Sequence, residues 1–229
     1  MDGFTCRDLV LATGGTLLMG KEDTPIRHIS LDSRKMEGED LFVPIIGENV
    51  DAHGFLCQAI GNGAAAVFTS RHRRPEEVRA DILKQCGEDV SRMEAAMSAA
   101  WIGVEDTRQA LQDFGIYCRG RQKLPLVGIT GSVGKTTTRE MVAAALSAGF
   151  TVYKTPGNSN SQVGVPITIA AIPKQAQIGV IELGMSEPGE MTKIARIARV
   201  DCAVMTNIGV THIEQLGSVD NILKEKLHI

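Results

Sequence analysis

The sequence predicts an α/β protein in which a small N-terminal α/β domain precedes a parallel-sheet domain of the P-loop type. Three observations predict it. Residues 128–138 read GITGSVGKTTT between an apolar run and a helical one. From Leu124 onward, short apolar runs alternate with segments of helical period, the pattern of a parallel sheet with helical crossovers. Ahead of them, three more apolar runs are separated by helical stretches without a second loop of that kind.

At 229 residues the chain has room for one large or two small domains, and two are expected. In the first, 1–122, the runs Leu41–Ile46, Ala64–Thr69 and Trp101–Val104 read as strands and Asp106–Tyr117 as a helix. Residues 71–99 mix both charges evenly, while Val78, Ile82, Met93 and Met97 recur at helical spacing. This segment reads as a solvated helical insertion, and its cluster Arg71, His72, Arg73, Arg74 as a solvated face. The polar stretch Arg119–Lys123 reads as the linker. In the second domain, 123–229, strands are expected at 124–130, 151–155, 178–183 and 202–206. Helices are expected from 136, near 163–171 and near 189–198. Val219–Ile229 is helical in pattern and stops without a cap, so the chain is expected to end mid-domain.

Strand, glycine-rich loop and helix together make a phosphate cradle, because backbone N–H groups converge at the start of a helix. Gly131 and Gly134 let the loop curl, Lys135 reaches the β- and γ-phosphates, and the Thr136 hydroxyl suits Mg²⁺. The loop is a variant, with Ile129 where the usual spacing has its first glycine and Gly128 one residue upstream.

Composition narrows the function classes. A net charge of -3, 43% hydrophobic and 22% charged residues describe an ordinary globular protein with no electrostatic pull toward nucleic acid or anionic membranes. Five scattered cysteines without a C-x-x-C pair argue against a disulfide framework and a zinc site, and buried reduced thiols are expected. The N-terminus lacks the basic region and long apolar core of a signal peptide, and no stretch reaches membrane-spanning length; a cytoplasmic monomer is expected.

Further polar groups fall at expected strand ends, where α/β sheets bind ligands. Glu182 closes the run Ile178–Ile181 and could meet Mg²⁺ directly or through water. His212 follows the run Cys202–Thr206, and Asn158 and Asn160 lie in TPGNSNSQVGVP after another strand. In the first domain, Asp32-Ser33-Arg34 and GENVDAHGF, which contains Gly47 and His53, set hydroxyl, guanidinium, imidazole and glycine groups on loops beside strands. That chemistry suits a second phosphate or sugar-nucleotide site.

From about Asp32 to the last residue the chain resembles the Mur ligases of bacterial cell-wall synthesis. The resemblance rests on DSRKMEGEDLFVPIIGENVDAHGF, VEDTRQALQDFG, GITGSVGKTTTREM, TPGNSNSQVGVP, IELGMSEPGEM and TNIGVTHIEQLGSVDNILKEKLHI. IELGMSEPGEM and GNSNSQVGVP are similar to the members that add D-alanyl-D-alanine rather than single amino acids.

The resemblance implies an N-terminal UDP-substrate domain and part of a central ATPase-type domain. It also implies ATP-dependent joining of D-alanyl-D-alanine to UDP-N-acetylmuramoyl-tripeptide through an acyl phosphate. By match of motif, Thr130, Gly131, Ser132, Val133, Gly134, Lys135, Thr136, Thr137 and Asn158 hold ATP, and Lys135, His212 and Lys226 are catalytic. Thr136, Glu182, His212 and Lys226 hold Mg²⁺, with Lys226 carbamylated. Ser33, Arg34, Gly47 and His53 lie near the UDP moiety. Two positions depart from the family pattern: D-G-H appears as Asp51-Ala52-His53 with Gly54 following, and Ser161 stands where a second loop asparagine is usual. The family's remaining central-domain strands and third domain have no counterpart, so the chain is expected to be a fragment with low activity of its own and an exposed sheet edge. Two alternatives are a non-catalytic nucleotide-binding module and a ligase similar to folylpolyglutamate synthetase. The DSR module counts against the latter, and the lack of an N-K-x-D segment against a GTPase.

Overall fold

A computed structural model describes Met1 and residues 3–229. The chain divides into two compact units, Met1–Asp113 and Phe114–Ile229.

The first unit runs β1 (Phe4–Thr5), α1 (Cys6–Thr13), β2 (Thr16–Met19), β3 (Pro25–Ile26), β4 (His28–Ser30) and β5 (Asp40–Phe42). It continues through α2 (Leu56–Gly61), β6 (Ala64–Thr69), α3 (Pro75–Cys86), α4 (Val90–Ser98) and β7 (Ala100–Gly103). Its main sheet has the order β2-β7-β6-β5-β4, parallel except for β2, and β1 pairs with β3. The chain steps from β4 to β7 in one direction across this sheet. Right-handed crossovers therefore put α2, α3 and α4 on one face. There Leu56, Ile60, Val78, Ile82, Cys86 and Ala96 bury against Phe42, Val67 and Trp101.

This packing corrects the reading of residues 71–99. They are the β6-to-β7 crossover that a parallel pair requires, not an insertion, and their apolar stripe is core. Pro75 at the first helical turn, followed by Glu76 and Glu77, starts α3. In the basic cluster Arg71, Arg73 and Arg74 are solvated as expected, but His72 is buried, its Nδ1 2.7 Å from Thr69 Oγ1 and its ring edge-on to Trp101. The run Leu41–Ile46 is strand only to Phe42, since Pro44 brings no N–H to the ladder.

α5 (Thr107–Gly120) carries the change of unit within a helix rather than in the polar stretch 119–123. The reason is Arg119. Its buried guanidinium donates to the carbonyls of Ala198, Leu124 and Arg199 and to Asp201, so the end of α5 is built into the second unit.

The second unit continues with β8 (Leu126–Thr130), α6 (Lys135–Leu146), β9 (Val152–Lys154), α7 (Gly164–Ala170) and β10 (Ile178–Glu182). It ends with α8 (Glu190–Ala198), β11 (Cys202–Met205), α9 (Ile213–Leu216) and α10 (Val219–Lys226). All four strands are parallel, in the order β11-β8-β10-β9. The chain moves one way from β8 to β9 and back from β9 to β11. Right-handedness therefore sets α6 on one face and α7 and α8 on the other. Ala143 of α6 buries against Ile129 and Val180. The helical pattern at the end of the chain stops at Lys226 rather than running to Ile229, and Ser218 caps its start by accepting from Asn221 N–H.

β11 is an edge strand with Cys202 exposed, whereas the other four cysteines are buried as expected; all five are free thiols. Among the described residues no helix is long and apolar enough to cross a membrane.

Ile82→Ala is expected to cost about 2–5 kcal/mol in urea unfolding, the price of a core cavity. On a solvated insertion the change would fall within about 0.5 kcal/mol.

Candidate functional site

Because β8 to β11 are parallel, the loops after their C-terminal ends share one edge, with β8 at the point where the strand order reverses. The loop after β8 curls at Gly131 and Gly134, with φ of 144° and 82°. A side chain at 131 would also overlap Thr206 Oγ1. Glycine is required at both places.

Residues 206–209, after β11, buttress this loop. Asn207 accepts from Ser132 N–H through its carbonyl at 3.0 Å and from Val133 N–H through Oδ1 at 3.1 Å. Thr206 Oγ1 donates to Val133 O at 2.6 Å, and Gly209 N–H donates to Ser132 Oγ at 2.9 Å. Lys135 Nζ folds over the loop and donates to Gly131 O at 2.8 Å. Thr137 is exposed at the helix start. At the base of the loop the Thr130 hydroxyl is fully buried and meets no hydrogen-bond partner among the described residues.

The carboxylate of Glu182, at the end of β10, is 1% exposed. Thr136 Oγ1 donates to its Oε2 at 3.0 Å, Arg139 Nη1 to the same oxygen at 3.1 Å, and Asn160 Nδ2 to Oε1 at 2.7 Å. Its own N–H donates to Thr155 Oγ1 at 2.9 Å. The expected pair Thr136 and Glu182 is thus brought together. Arg139 and the 206–209 buttress are what sequence reasoning missed. Asn158, expected at the nucleotide, is exposed and its side chain makes no hydrogen bond among the described residues; two positions on, Asn160 is the one that reaches Glu182.

His212 takes a left-handed backbone, φ 65°, at the start of α9, and its imidazole has no hydrogen-bond partner among the described residues. Non-glycine residues in that region concentrate at functional sites. Lys226 is 1% exposed. Burial first, and then the neighbouring Lys135 charge, pull its amine down to about 8, while Glu225 opposes the shift. Among the described residues no cluster of three His, Cys, Asp or Glu could hold a metal. A hydroxyl beside one carboxylate nevertheless fits Mg²⁺, which takes few protein ligands and keeps waters and phosphate oxygens for the rest.

In the first unit the parallel strands β4, β5 and β6 likewise bring the candidate loops to one edge. Ser33 Oγ donates to Gln58 Oε1 at 3.0 Å, Arg34 is exposed and forms a forked pair with Asp32 at 2.8 Å, and Gly47 is exposed. His53 is buried with both ring nitrogens engaged. Nε2 accepts from Ser70 N–H at 3.1 Å, so Nδ1 carries the proton and donates to Asp51 Oδ1 at 2.6 Å. Asp51 also takes Arg71 at 2.7 Å. Burial would raise the Asp51 carboxyl, but the His53 N–H, the His53 ring and Arg71 outweigh it and hold it at about 2. His53 therefore ties two loops together rather than facing outward.

The family models match on both units. Residues 25–116 match the Mur ligase family, catalytic domain, and 129–229 the Mur ligase middle domain. The chain belongs to the Mur ligase family. It is 37% identical over 227 residues to the UDP-N-acetylmuramoyl-tripeptide--D-alanyl-D-alanine ligase of Bacillus subtilis (strain 168), covering 98% of this chain and 45% of that protein. Among solved structures it is similar to MurF from Acinetobacter baumannii, with a TM-score of 0.83 and 32% identity over 99% of this chain and 46% of that one. It is also similar to MurF ligase from Thermotoga maritima in complex with ADP, with a TM-score of 0.72 and 31% identity over 91% and 44%. This Mur ligase chain thus spans about 45% of the length of the relatives it matches.

The buried amine gives a pH dependence of known sign. Lys226 binds its proton less readily folded than unfolded, so its contribution to stability rises with pH from about 8 to the ordinary lysine value. Lys226→Met is expected to flatten that rise and to gain up to about 3 kcal/mol at pH 7. Urea unfolding of both proteins at pH 7 and pH 9 checks it.

Proposed function

We propose that this chain provides the substrate-nucleotide and P-loop parts of an ATP-dependent ligase of peptidoglycan precursor synthesis. In this reading D-alanyl-D-alanine is joined to UDP-N-acetylmuramoyl-tripeptide in the cytoplasm, and the protein works as a monomer. The observation that carries the reading is the meeting of Thr136 and Glu182 beside a lysine-bearing phosphate loop, in a chain similar along 98% of its length to a ligase of that name.

The chemistry asked of the site is phosphoryl transfer from ATP to the terminal carboxylate of the tripeptide. The D-alanyl-D-alanine amine then attacks the acyl carbon, phosphate leaves, and the nitrogen gives up a proton. Such transfer depends on positioning and charge neutralisation more than on a covalent protein nucleophile. The amides at the start of α6 take phosphate oxygens, and the Lys135 ammonium, released from the Gly131 carbonyl, neutralises the β- and γ-phosphates. Thr136 and Glu182 would hold Mg²⁺, with His212 at a second position, and the bound ion would supply charge stabilisation on the transferring group. Lys226, with its amine lowered to about 8, is more readily deprotonated than an ordinary lysine, and its neutral amine can add CO₂ with loss of a proton. The resulting carbamate would act as a carboxylate toward metal. The exposed Arg34 and the loop at Gly47 serve the UDP end of the substrate.

Two measurements test the reading. Phosphate release from ATP is expected only when both UDP-N-acetylmuramoyl-tripeptide and D-alanyl-D-alanine are present, and Lys135→Ala is expected to lower it by about 100-fold or more. Binding of nucleotide without such release would make the chain a non-catalytic module. A carbamate resonance from ¹³C-labelled CO₂, present in the native chain and missing from Lys226→Met, is expected by NMR.

A further inference from the structure

The reading above uses Thr136 and Glu182 and gives no role to the buried charge that meets them. Arg139, one turn beyond Thr136 on α6, is 4% exposed. Nη1 donates to Glu182 Oε2 at 3.1 Å and to the Gly157 carbonyl at 2.6 Å. Nε and Nη2 donate to Glu140 Oε1 at 3.1 and 2.7 Å. The other Glu140 oxygen pairs with Lys154.

We propose that Arg139 is a positioning residue for the metal end of the loop. Its guanidinium, braced by Glu140 and the Gly157 carbonyl, holds the Glu182 carboxylate on Thr136 and thereby sets Mg²⁺-dependent nucleotide affinity. The inference rests on the proposed nucleotide and metal reading.

Three features favour this role over simple stabilisation. A buried ion pair gains little stability over well-packed apolar side chains, so stability alone does not account for it. The planar guanidinium fixes the direction of the groups it bonds, whereas a lysine would offer only a point charge. Finally, Arg139 does not cancel Glu182 as a metal ligand. Its charge is shared with Glu140, whose carboxyl is held below its ordinary value by Lys154 first and Arg139 second. The four side chains form two cations against two carboxylates, and Glu182 keeps Oε1 bonded to nothing stronger than the neutral Asn160 amide.

The test is calorimetric titration of the 229-residue chain with ADP, in Mg²⁺ and in EDTA, with circular dichroism melting to establish folding. Arg139→Met is expected to weaken ADP binding by about 10–100-fold in Mg²⁺, the usual cost of removing a group that orients a metal ligand, and to leave it unchanged in EDTA. In a Glu182→Gln background the same substitution is expected to add nothing, because the residue acts through that carboxylate. Should Arg139→Met fail to fold, Arg139→Lys keeps the charge without the fork and is expected to show the same Mg²⁺-specific loss, smaller in size.

Equal losses in Mg²⁺ and EDTA, or an undiminished loss in the Glu182→Gln background, would reduce Arg139 to a structural part. Unchanged or tighter Mg²⁺–ADP binding would overturn the proposal as well. A native chain whose ADP binding ignores Mg²⁺ overturns the metal reading first, and this inference with it.

Discussion

Burying the Glu182 carboxylate to 1% exposure is sustainable only because donors from two other parts of the chain converge on it. An isolated ionised carboxylate out of water costs many kcal/mol, so the charge has to be paired and its lone pairs filled. Thr136 and Arg139 come from the P-loop helix, Asn160 from the loop after β9, and Thr155 holds the backbone on which the carboxylate stands. Each arrives at the same edge because the four strands are parallel. The requirement to satisfy one charge thereby fixes the position of the P-loop helix relative to β10. The 206–209 segment does the same for the loop itself from the opposite side, through β11.

The first unit applies the same economy of partners to a different end. Its parallel strands gather the loops carrying Ser33, Arg34, Gly47 and His53 at one edge, yet the best-buried of these, His53, faces inward. Its ring joins Ser70 to Asp51, and Asp51 in turn holds Arg71. That network fixes the loops it joins through neighbouring groups rather than through solvent, while Arg34 stays exposed, tied in a fork to Asp32.

Much of this organisation is legible along the chain. β6, β8 and β10 lie within the expected apolar runs, because strands buried in a parallel sheet read as short continuous apolar segments, and the edge strand β11 also falls within its run. The P-loop is legible because strand, turn and helix are contiguous, so its chemistry is written in neighbouring letters. The segment 71–99 misleads for the converse reason. Its charges belong to the solvent faces of α3 and α4 and dominate the composition, while the few residues that matter to the core, Val78, Ile82 and Ala96, are a minority on one stripe. The change of unit at Asp113 is hidden similarly, since a single long side chain, Arg119, draws the end of a continuous helix into the second unit.

By itself the sequence determined the α/β class, the order of strands and their crossover helices in the second unit, and the phosphate loop. These follow from local periodicity and from residue types whose chemistry is narrow. Only the tertiary structure decided that Asn160 rather than Asn158 reaches Glu182, that Arg139 holds it, that Asn207 buttresses the loop, and that His53 is internal. The physical reason is common to all four. Asparagine, arginine and histidine serve equally well on a solvated loop or in a buried network. Which they do depends on a partner brought close by folding, 17 to 74 residues distant in the chain for Arg139, Asn160, Asn207 and His53.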